Sequence, residues 1–254
     1  MTSLVSAIGR GAGDGAYDAV YKWILYAALM ALSAVILWDY GLLQYLFSAD
    51  TSRISVLIAA LFLGFLVHSL WIVLWMAREY RQALTAASVL AQTSGSLVIA
   101  DGEISVLRGK LAADGLIAGY LRDVVRTQKA PDRDRGLLLQ SLSASLKRRN
   151  KVGVYGADLL YKLGMLGTMI GFVMMLNSMG DMENFDVETL RSALQRMIGG
   201  MAVSLLTTIA GLVGGILLRV FYNLAEGLTT DILQTVVQTT ETSLATRLAP
   251  AAEA

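Results

Sequence analysis

The chain has 254 residues, of which 55% are hydrophobic and 16% are charged, and its mean hydropathy is +0.57. Soluble domains carry about 25% charged residues, so this composition indicates an integral membrane protein. The absence of cysteine excludes thiol catalysis and disulfides, and the single histidine, His68, excludes a multi-histidine metal site within one chain. A net charge of +1 gives no reason to expect a nucleic acid partner or an acidic substrate.

The N-terminal part of the chain predicts a retained membrane anchor. Residues 1–22 lack the basic and then apolar order of a cleavable signal peptide, so we expect them to form a cytoplasmic segment. The first apolar stretch, residues 23–38, is bracketed by Lys22 and Asp39. It rises only about 24 Å as a helix. Either the helix therefore extends past Lys22, or that side chain snorkels to the membrane surface.

Three further apolar stretches predict three more transmembrane helices, over residues 54–77, 159–179 and 197–218. Trp71 and Trp75 lie towards one end of the second predicted helix, as the residues of an interfacial aromatic belt do. The chain has only two prolines, and neither lies in these stretches, so each is expected to form an unbroken helix. The sequence therefore predicts an all-α integral membrane protein with four transmembrane helices.

The charges between the predicted helices indicate their orientation. Residues 78–158 contain 13 Lys or Arg and 8 Asp or Glu, whereas residues 39–53 contain a single Arg. The positive-inside rule then predicts that residues 78–158 form a cytoplasmic helical domain between helices 2 and 3. The same rule places both termini, including the tail 219–254, in the cytoplasm. We interpret the basic run Lys147–Lys151 as a topology anchor, with docking to nucleic acid or to a rotor as the open alternative.

The connecting segments carry weaker local patterns. Apolar residues at helical spacing in the cytoplasmic segment are Leu84, Ala87, Leu90 and Ala91, and then Leu116, Tyr120, Val124 and Val125. Asp101–Glu103 predicts a turn with a helix cap, not a calcium loop, and residues 132–135 after Pro131 predict a turn between helices. On the outer side, residues 181–196 predict a loop and a short amphipathic helix that starts after Asp186. One face of that helix holds Leu190, Leu194 and Met197.

Small and polar side chains share one face of each of the last two predicted helices. On the third helix this face holds Gly164, Thr168, Gly171, Met175 and Ser178, with Gly167 on its flank. On the fourth helix it holds Gly200, Ser204, Thr208, Gly211 and Gly215, with Thr207 and Gly214 beside it. Because small residues let membrane helices approach closely, one interpretation is helix packing in which each threonine bonds its own backbone.

A second interpretation of the same residues is an ion path. Thr168 and the pair Thr207–Thr208 lie at similar depth when the two helices run antiparallel. Together with Ser204, their hydroxyls are suited to hydrate a cation or to contact a carboxyl group of another chain. No Asp, Glu, Lys or Arg lies in the interior of the four predicted helices, where burying a charge is costly. A charged group in the path therefore has to come from a partner.

The sequence resembles the MotA/TolQ/ExbB family, the channel-forming subunits of ion-driven bacterial motors. The matching motifs are L-G-M-L-G-T-M-I-G-F (Leu163–Phe172), M-A-V-S-L-L-T-T-I-A-G-L-V-G-G (Met201–Gly215) and F-Y-N (Phe221–Asn223). The order of two spans, a cytoplasmic domain and two further spans is similar to the four-span MotA branch. The resemblance implies a homopentamer around two copies of a single-span MotB/TolR/ExbD-like partner, which supplies a membrane aspartate. It also matches Thr168 and Thr208 to the family's threonines on the two pore helices.

The sequence departs from the family at several positions. Val203 stands where the TolQ/ExbB branch tends to carry a glutamate, which argues against a glutamate-assisted relay. The prolines typical of flagellar MotA near its pore helices are absent. The adjacent hydroxyls of Thr207 and Thr208 resemble those of sodium-driven stators. A transient sodium site at Thr168, Thr207 and Thr208 and a proton path therefore both remain open, and we expect no cofactor besides the transported H⁺ or Na⁺.

The remaining titratable groups of the predicted helices have plain explanations. His68 is interpreted as a neutral helix-contact residue, with a proton relay as the alternative. Lys162 and Arg219 lie at the inner ends of the last two predicted helices, where snorkelling is the first explanation and a role at the pore mouth the second.

Three classes of function are compared for this sequence. The resemblance implies a pore-forming stator subunit that couples proton or sodium flow to motion. The alternative is a non-conducting oligomeric membrane scaffold. An enzyme is the least supported class, because the sequence has no nucleophile–base pair, metal set or phosphate loop.

Overall fold

The computed structural model describes residues 2–49, 53–92, 99–100, 103–104, 115–128, 135–180 and 187–240. Helices occupy nearly all of these residues: α1 (Thr2–Asp39), α2 (Leu42–Ala49), α3 (Ile54–Gln92), α4 (Leu116–Gln128), α5 (Arg135–Gly180) and α6 (Val187–Thr239). Two short strands, β1 (Ile99–Ala100) and β2 (Glu103–Ile104), pair in antiparallel fashion between α3 and α4. The predicted all-α fold is therefore confirmed.

Within the described residues, four helices are long and apolar enough to span a membrane. They are Tyr17–Asp39 in α1, Ile54–Val89 in α3, Gly136–Ser178 in α5 and Val187–Thr239 in α6. Each contains one of the four predicted apolar stretches, which confirms the prediction of four transmembrane helices. The last three have 36, 43 and 53 residues, whereas about 20 residues cross a bilayer. Each of them therefore continues past the hydrocarbon core.

The helices run through several predicted boundaries. α1 extends past Lys22, whose Nζ pairs with the Asp18 carboxylate one turn earlier at 2.6 Å. α5 joins the predicted cytoplasmic segment to the third span without a break, and α6 joins the fourth span to the tail. The helix predicted to start after Asp186 begins at Val187, and it continues into the fourth span as the first turns of α6. No proline interrupts these regions, and a change of charge marks a membrane surface without ending a helix.

The first of two compact units combines residues 1–23, 70–150 and 223–254. Its hydrophobic core draws on four helices: Ala83 and Ala86 of α3, Ile117, Tyr120, Leu121 and Val124 of α4, Leu142 and Leu146 of α5, and Ile232 and Val236 of α6. The predicted apolar face of α4 is thus confirmed at Tyr120 and Val124. The side chains of Leu90, Ala91 and Val125 lie outside the described residues.

A carboxylate of α3 holds the start of α4 in this unit. Glu79 is only 5% exposed, and its Oε1 accepts a hydrogen bond from the Leu116 backbone N–H at 3.4 Å. The first backbone N–H groups of a helix have no partner within the helix, so a carboxylate placed there acts as a cap and complements the helix dipole. The cap comes from a residue 37 positions earlier in the chain.

The paired strands differ from the sequence-based expectation. Glu103 lies in β2 opposite Ala100, and Ile104 lies opposite Ile99, whereas we expected a helix cap at this position. The intervening dipeptide, Asp101–Gly102, lies outside the described residues, as do residues 132–134 of the second predicted turn. Asp-Gly is a favoured sequence for two-residue hairpin loops, which is the signal that the helix-cap interpretation overlooked.

The second unit combines residues 24–69 and 151–222. It contains most of the apolar stretches, and many of its large hydrophobic side chains are exposed, among them Leu25, Leu29, Met169, Leu205 and Ile209. A helix whose apolar side chains face outward requires a surrounding of lipid or of other membrane helices. The candidate functional site lies in this unit, where α5 packs against α6.

Candidate functional site

Glycines bring the backbones of α5 and α6 into contact within the second unit. A Cβ atom built on Gly211 would lie 2.7 Å from both the Gly164 Cα and the Leu160 carbonyl oxygen. A Cβ atom built on Gly171 would lie 2.6 Å from the Gly200 carbonyl oxygen. Any larger residue would force the helices apart at these positions, since the obstructing atoms belong to the backbone. The small faces predicted from the sequence are therefore packed against each other.

Thr207 fills the centre of this helix contact. Its side chain is 0% exposed and lies so close to Gly167 that a Cβ atom on that glycine would overlap it. The Thr207 hydroxyl donates to the Val203 carbonyl oxygen at 2.7 Å, within its own helix. Val203 is also fully buried, and burial favours an apolar side chain over the glutamate of the TolQ/ExbB branch.

Three further hydroxyls lie at the edge of the contact, and two of them, those of Ser204 and Thr208, link the two helices. The Thr208 hydroxyl donates to the Ser204 carbonyl oxygen at 2.9 Å and reaches the Gly164 carbonyl oxygen of α5 at 3.4 Å. The Ser204 hydroxyl donates across the contact to the Thr168 carbonyl oxygen at 3.2 Å. The Thr168 hydroxyl donates to the Met165 carbonyl oxygen. All three residues are partly exposed in the single chain.

This geometry determines the hydrogen-bonding capacity that remains on the four hydroxyls. Each hydroxyl has one proton and two acceptor lone pairs, and each of the four donates its proton to a main-chain carbonyl. The oxygens of Thr168, Ser204 and Thr208 keep acceptor capacity for a cation or a protonated carboxyl group. Thr207 has no free space beside it, because Gly167 lies against its side chain. The predicted site residues are thus brought together, while their role in ion transport stays a prediction.

The remaining glycine and the two flanking charges lie at one end of the contact. Gly215 faces the Tyr161 ring, whose nearest atom would be 2.8 Å from an added Cβ. Lys162 is exposed. Arg219 lies 3.9 Å from the Asp158 carboxylate, and both side chains are about half exposed. An exposed ion pair at this distance contributes little to stability, so it fits anchoring at the membrane surface.

A hydrogen-bonded pair that the sequence analysis missed joins α3 to α6. His68 Nδ1 lies 2.7 Å from the Tyr222 hydroxyl, which donates to the Phe65 carbonyl oxygen at 3.2 Å. The Tyr222 ring rests on Gly153 of α5. This arrangement matches the interpretation of His68 as a helix-contact residue, and the F-Y-N motif was the signal for its partner.

Comparison with known proteins places these helices in a family. Residues 114–238 match the family model described as the MotA/TolQ/ExbB proton channel family. Comparisons with curated proteins and with solved structures gave no significant match. The matched range contains α4, all of α5 and nearly all of α6, and therefore the whole glycine and hydroxyl contact. Over residues 114–238 the chain belongs to the MotA/TolQ/ExbB proton channel family.

Proposed function

We propose that the chain is the pore-forming stator subunit of an ion-driven motor in the bacterial inner membrane. In this role it couples the flow of protons or sodium ions to rotation or another motion. One observation supports the proposal above the others. The contact between α5 and α6 presents the hydroxyl oxygens of Thr168, Ser204 and Thr208 at its edge, within the predicted spans 159–179 and 197–218, whose interiors carry no charged residue.

A partner completes the path in this proposal. A helix carrying an aspartate, from a single-span MotB/TolR/ExbD-like subunit, would supply the charge that the chain lacks. The outer faces of α5 and α6 expose apolar side chains, including Met169 at 64% and Leu205 at 60%. Such faces suit contact with neighbouring copies and with partner helices. We therefore propose a homopentamer around two partner copies, as the family resemblance implies.

The proposed division of labour among the residues follows from burial. The buried glycines and Thr207 hold α5 and α6 in one fixed arrangement. At the edge, Thr168 and Thr208 would accept a hydrogen bond from the protonated aspartate of the partner or contribute oxygens to a sodium ion. Since the Thr207 oxygen is enclosed between the helices, a sodium site would rely chiefly on Thr168, Ser204 and Thr208.

A non-conducting oligomeric scaffold is the second candidate. The observation that favours it is that all four hydroxyls donate to main-chain carbonyls, as they would in helices that only pack. The two candidates differ in what replacement of an edge hydroxyl does. A scaffold tolerates Thr208→Val, since valine keeps the shape of threonine.

The test is ion flux into liposomes that hold the full chain and its single-span partner, from which the segment that would plug the resting channel has been deleted. We expect Thr208→Val to reduce flux about tenfold, since a hydrogen bond to an ionised or proton-carrying group is worth about 1.5–3 kcal/mol. Thr230→Val is the matched control, because Thr230 is an exposed residue of α6 whose hydroxyl also donates to a carbonyl one turn earlier. Equal flux through wild type and Thr208→Val would contradict the role of this hydroxyl and favour the scaffold.

A further inference from the structure

An arginine and two tryptophans form a cluster on the first unit. The Arg149 guanidinium carbon of α5 lies 4.1 Å from the centroid of the Trp75 ring and 5.7 Å from that of Trp71, both on α3. Arg149 is exposed, and Trp71 is 54% exposed. The Trp71 and Trp75 rings of α3 thus contact the guanidinium of Arg149 on α5. The exposure of Arg149 and Trp71 leaves this cluster accessible from outside.

The cluster lies at the edge of the membrane-spanning part of α3. The apolar stretch of residues 54–77 ends at Arg78, and Trp71 and Trp75 occupy its last two turns. Tryptophan prefers the boundary between headgroups and acyl chains. Leu74, one turn from Trp71, is 41% exposed and continues the apolar surface beside the cluster. An anionic headgroup above the rings and an acyl chain along Leu74 would both find matching surroundings.

Within the part of the chain that the structure describes, the hydrogen-bonding capacity of Arg149 is not used. A cation–π contact attracts the charge of the guanidinium to the ring and uses none of its five N–H donors as a hydrogen bond to a protein acceptor. Among the described residues, no hydrogen bond or ion pair to Arg149 is found. Glu79 is close enough to interact electrostatically with Arg149, but its Oε1 accepts from the Leu116 N–H. The donors of Arg149 therefore remain available to an external acceptor.

We propose that Arg149, Trp71 and Trp75 form a binding site for the phosphodiester headgroup of an anionic phospholipid. Arginine pairs with phosphate oxygens through two parallel N–H donors, and pre-orientation on the rings lowers the entropy cost of that pairing. Basic pockets between membrane helices bind anionic headgroups in this manner. The neighbouring Lys147 and Arg148 raise the local positive potential, but neither has a cation–π contact with an aromatic ring of the described residues. The site does not depend on the proposed ion path.

Native mass spectrometry of the full chain in detergent tests the proposal by titration with phosphatidylglycerol or phosphatidylcholine. We expect wild type to bind phosphatidylglycerol several-fold more tightly than phosphatidylcholine. Arg149→Gln should weaken phosphatidylglycerol binding about tenfold, as expected for loss of a charge-assisted hydrogen bond. Arg148→Gln is the matched control, because it removes the same charge from the next position of the same basic run, and it should change binding less than about twofold.

Three outcomes would overturn the proposal. Equal weakening by Arg148→Gln and Arg149→Gln would show that only the total charge of the basic run matters. Equal binding of the two lipids would remove the headgroup preference. Displacement of phosphatidylglycerol by an equal concentration of inorganic phosphate would assign the site to a soluble anion. If Arg149→Gln does not fold, Arg149→Lys serves instead: it keeps the charge without the planar donors, and unchanged binding would contradict the site.

Discussion

Thr207 and Thr208 are adjacent and chemically identical, yet their surroundings differ. Thr207 is fully buried against Gly167, whereas Thr208 is partly exposed at the edge of the helix contact. Helical periodicity separates the two positions by about 100° but does not decide which of them faces the neighbouring helix. That choice depends on a glycine 40 positions away in the chain. The sequence therefore predicts the cluster of hydroxyls but not the burial of Thr207.

The contact of His68 with Tyr222 is a second feature that no local pattern predicts, since the two residues are 154 positions apart. We expect Tyr222→Phe to lower the stability of the folded chain by about 1 kcal/mol, because the hydrogen bonds of the Tyr222 hydroxyl with His68 and with the Phe65 carbonyl are lost. Thermal unfolding in detergent measures this change. Tyr155→Phe is the control, since the Tyr155 side chain is 64% exposed. Equal unfolding midpoints for wild type and Tyr222→Phe would contradict the contact.

At the scale of the elements, the packing of α5 on α6 was the most predictable feature and the bounds of the helices the least. Small residues recur every three or four positions, and this spacing fixes a face. The ends of α5 and α6 left no such signal, because the chain passes from apolar to charged surroundings without a proline or a break in helical geometry. The strand pair was missed because two-residue strands are too short to show an alternating pattern.

The glycine contact between α5 and α6 gives a paired prediction. Gly200→Ala places a Cβ atom 2.8 Å from the Gly171 carbonyl oxygen and the Met175 nitrogen, so we expect a loss of about 1–3 kcal/mol from overpacking. Gly199→Ala meets nothing within 4 Å and should be neutral or slightly stabilising, since alanine favours helix. Thermal unfolding of both variants in the same detergent measures the difference. Identical midpoints would show that the two backbones are not in contact.

The cap that Glu79 provides for α4 gives a prediction for a single element. We expect Glu79→Ala to speed hydrogen exchange at the first amides of α4, because loss of a helix cap costs about 1 kcal/mol. Glu79→Gln should keep most of the protection, since its amide oxygen still accepts a hydrogen bond. Glu226→Ala on the exposed side of α6 is the control. Unchanged exchange at Leu116 in Glu79→Ala would mean that the carboxylate does not cap the helix.

At the scale of the whole molecule, the apolar stretches predicted the four membrane helices, and the family motifs predicted the channel family. Both predictions depend only on the sequence of a single chain. The interiors of the predicted helices carry no charge, so the function we propose requires a charge from outside this chain. An account of this protein as an ion-conducting subunit therefore depends on a second chain, and a short neighbouring gene encoding one span with an aspartate is its expected source.

The most direct measurement of the central claim is ion flux into liposomes holding the full chain, with and without this partner, under separate proton and sodium gradients. The account predicts flux only when both chains are present and the segment that plugs the resting channel has been deleted. Replacement of the partner's membrane aspartate by asparagine should abolish that flux, and the gradient that drives it identifies the ion. Equal flux without the partner, or no flux under either gradient from the unplugged complex, would contradict the account.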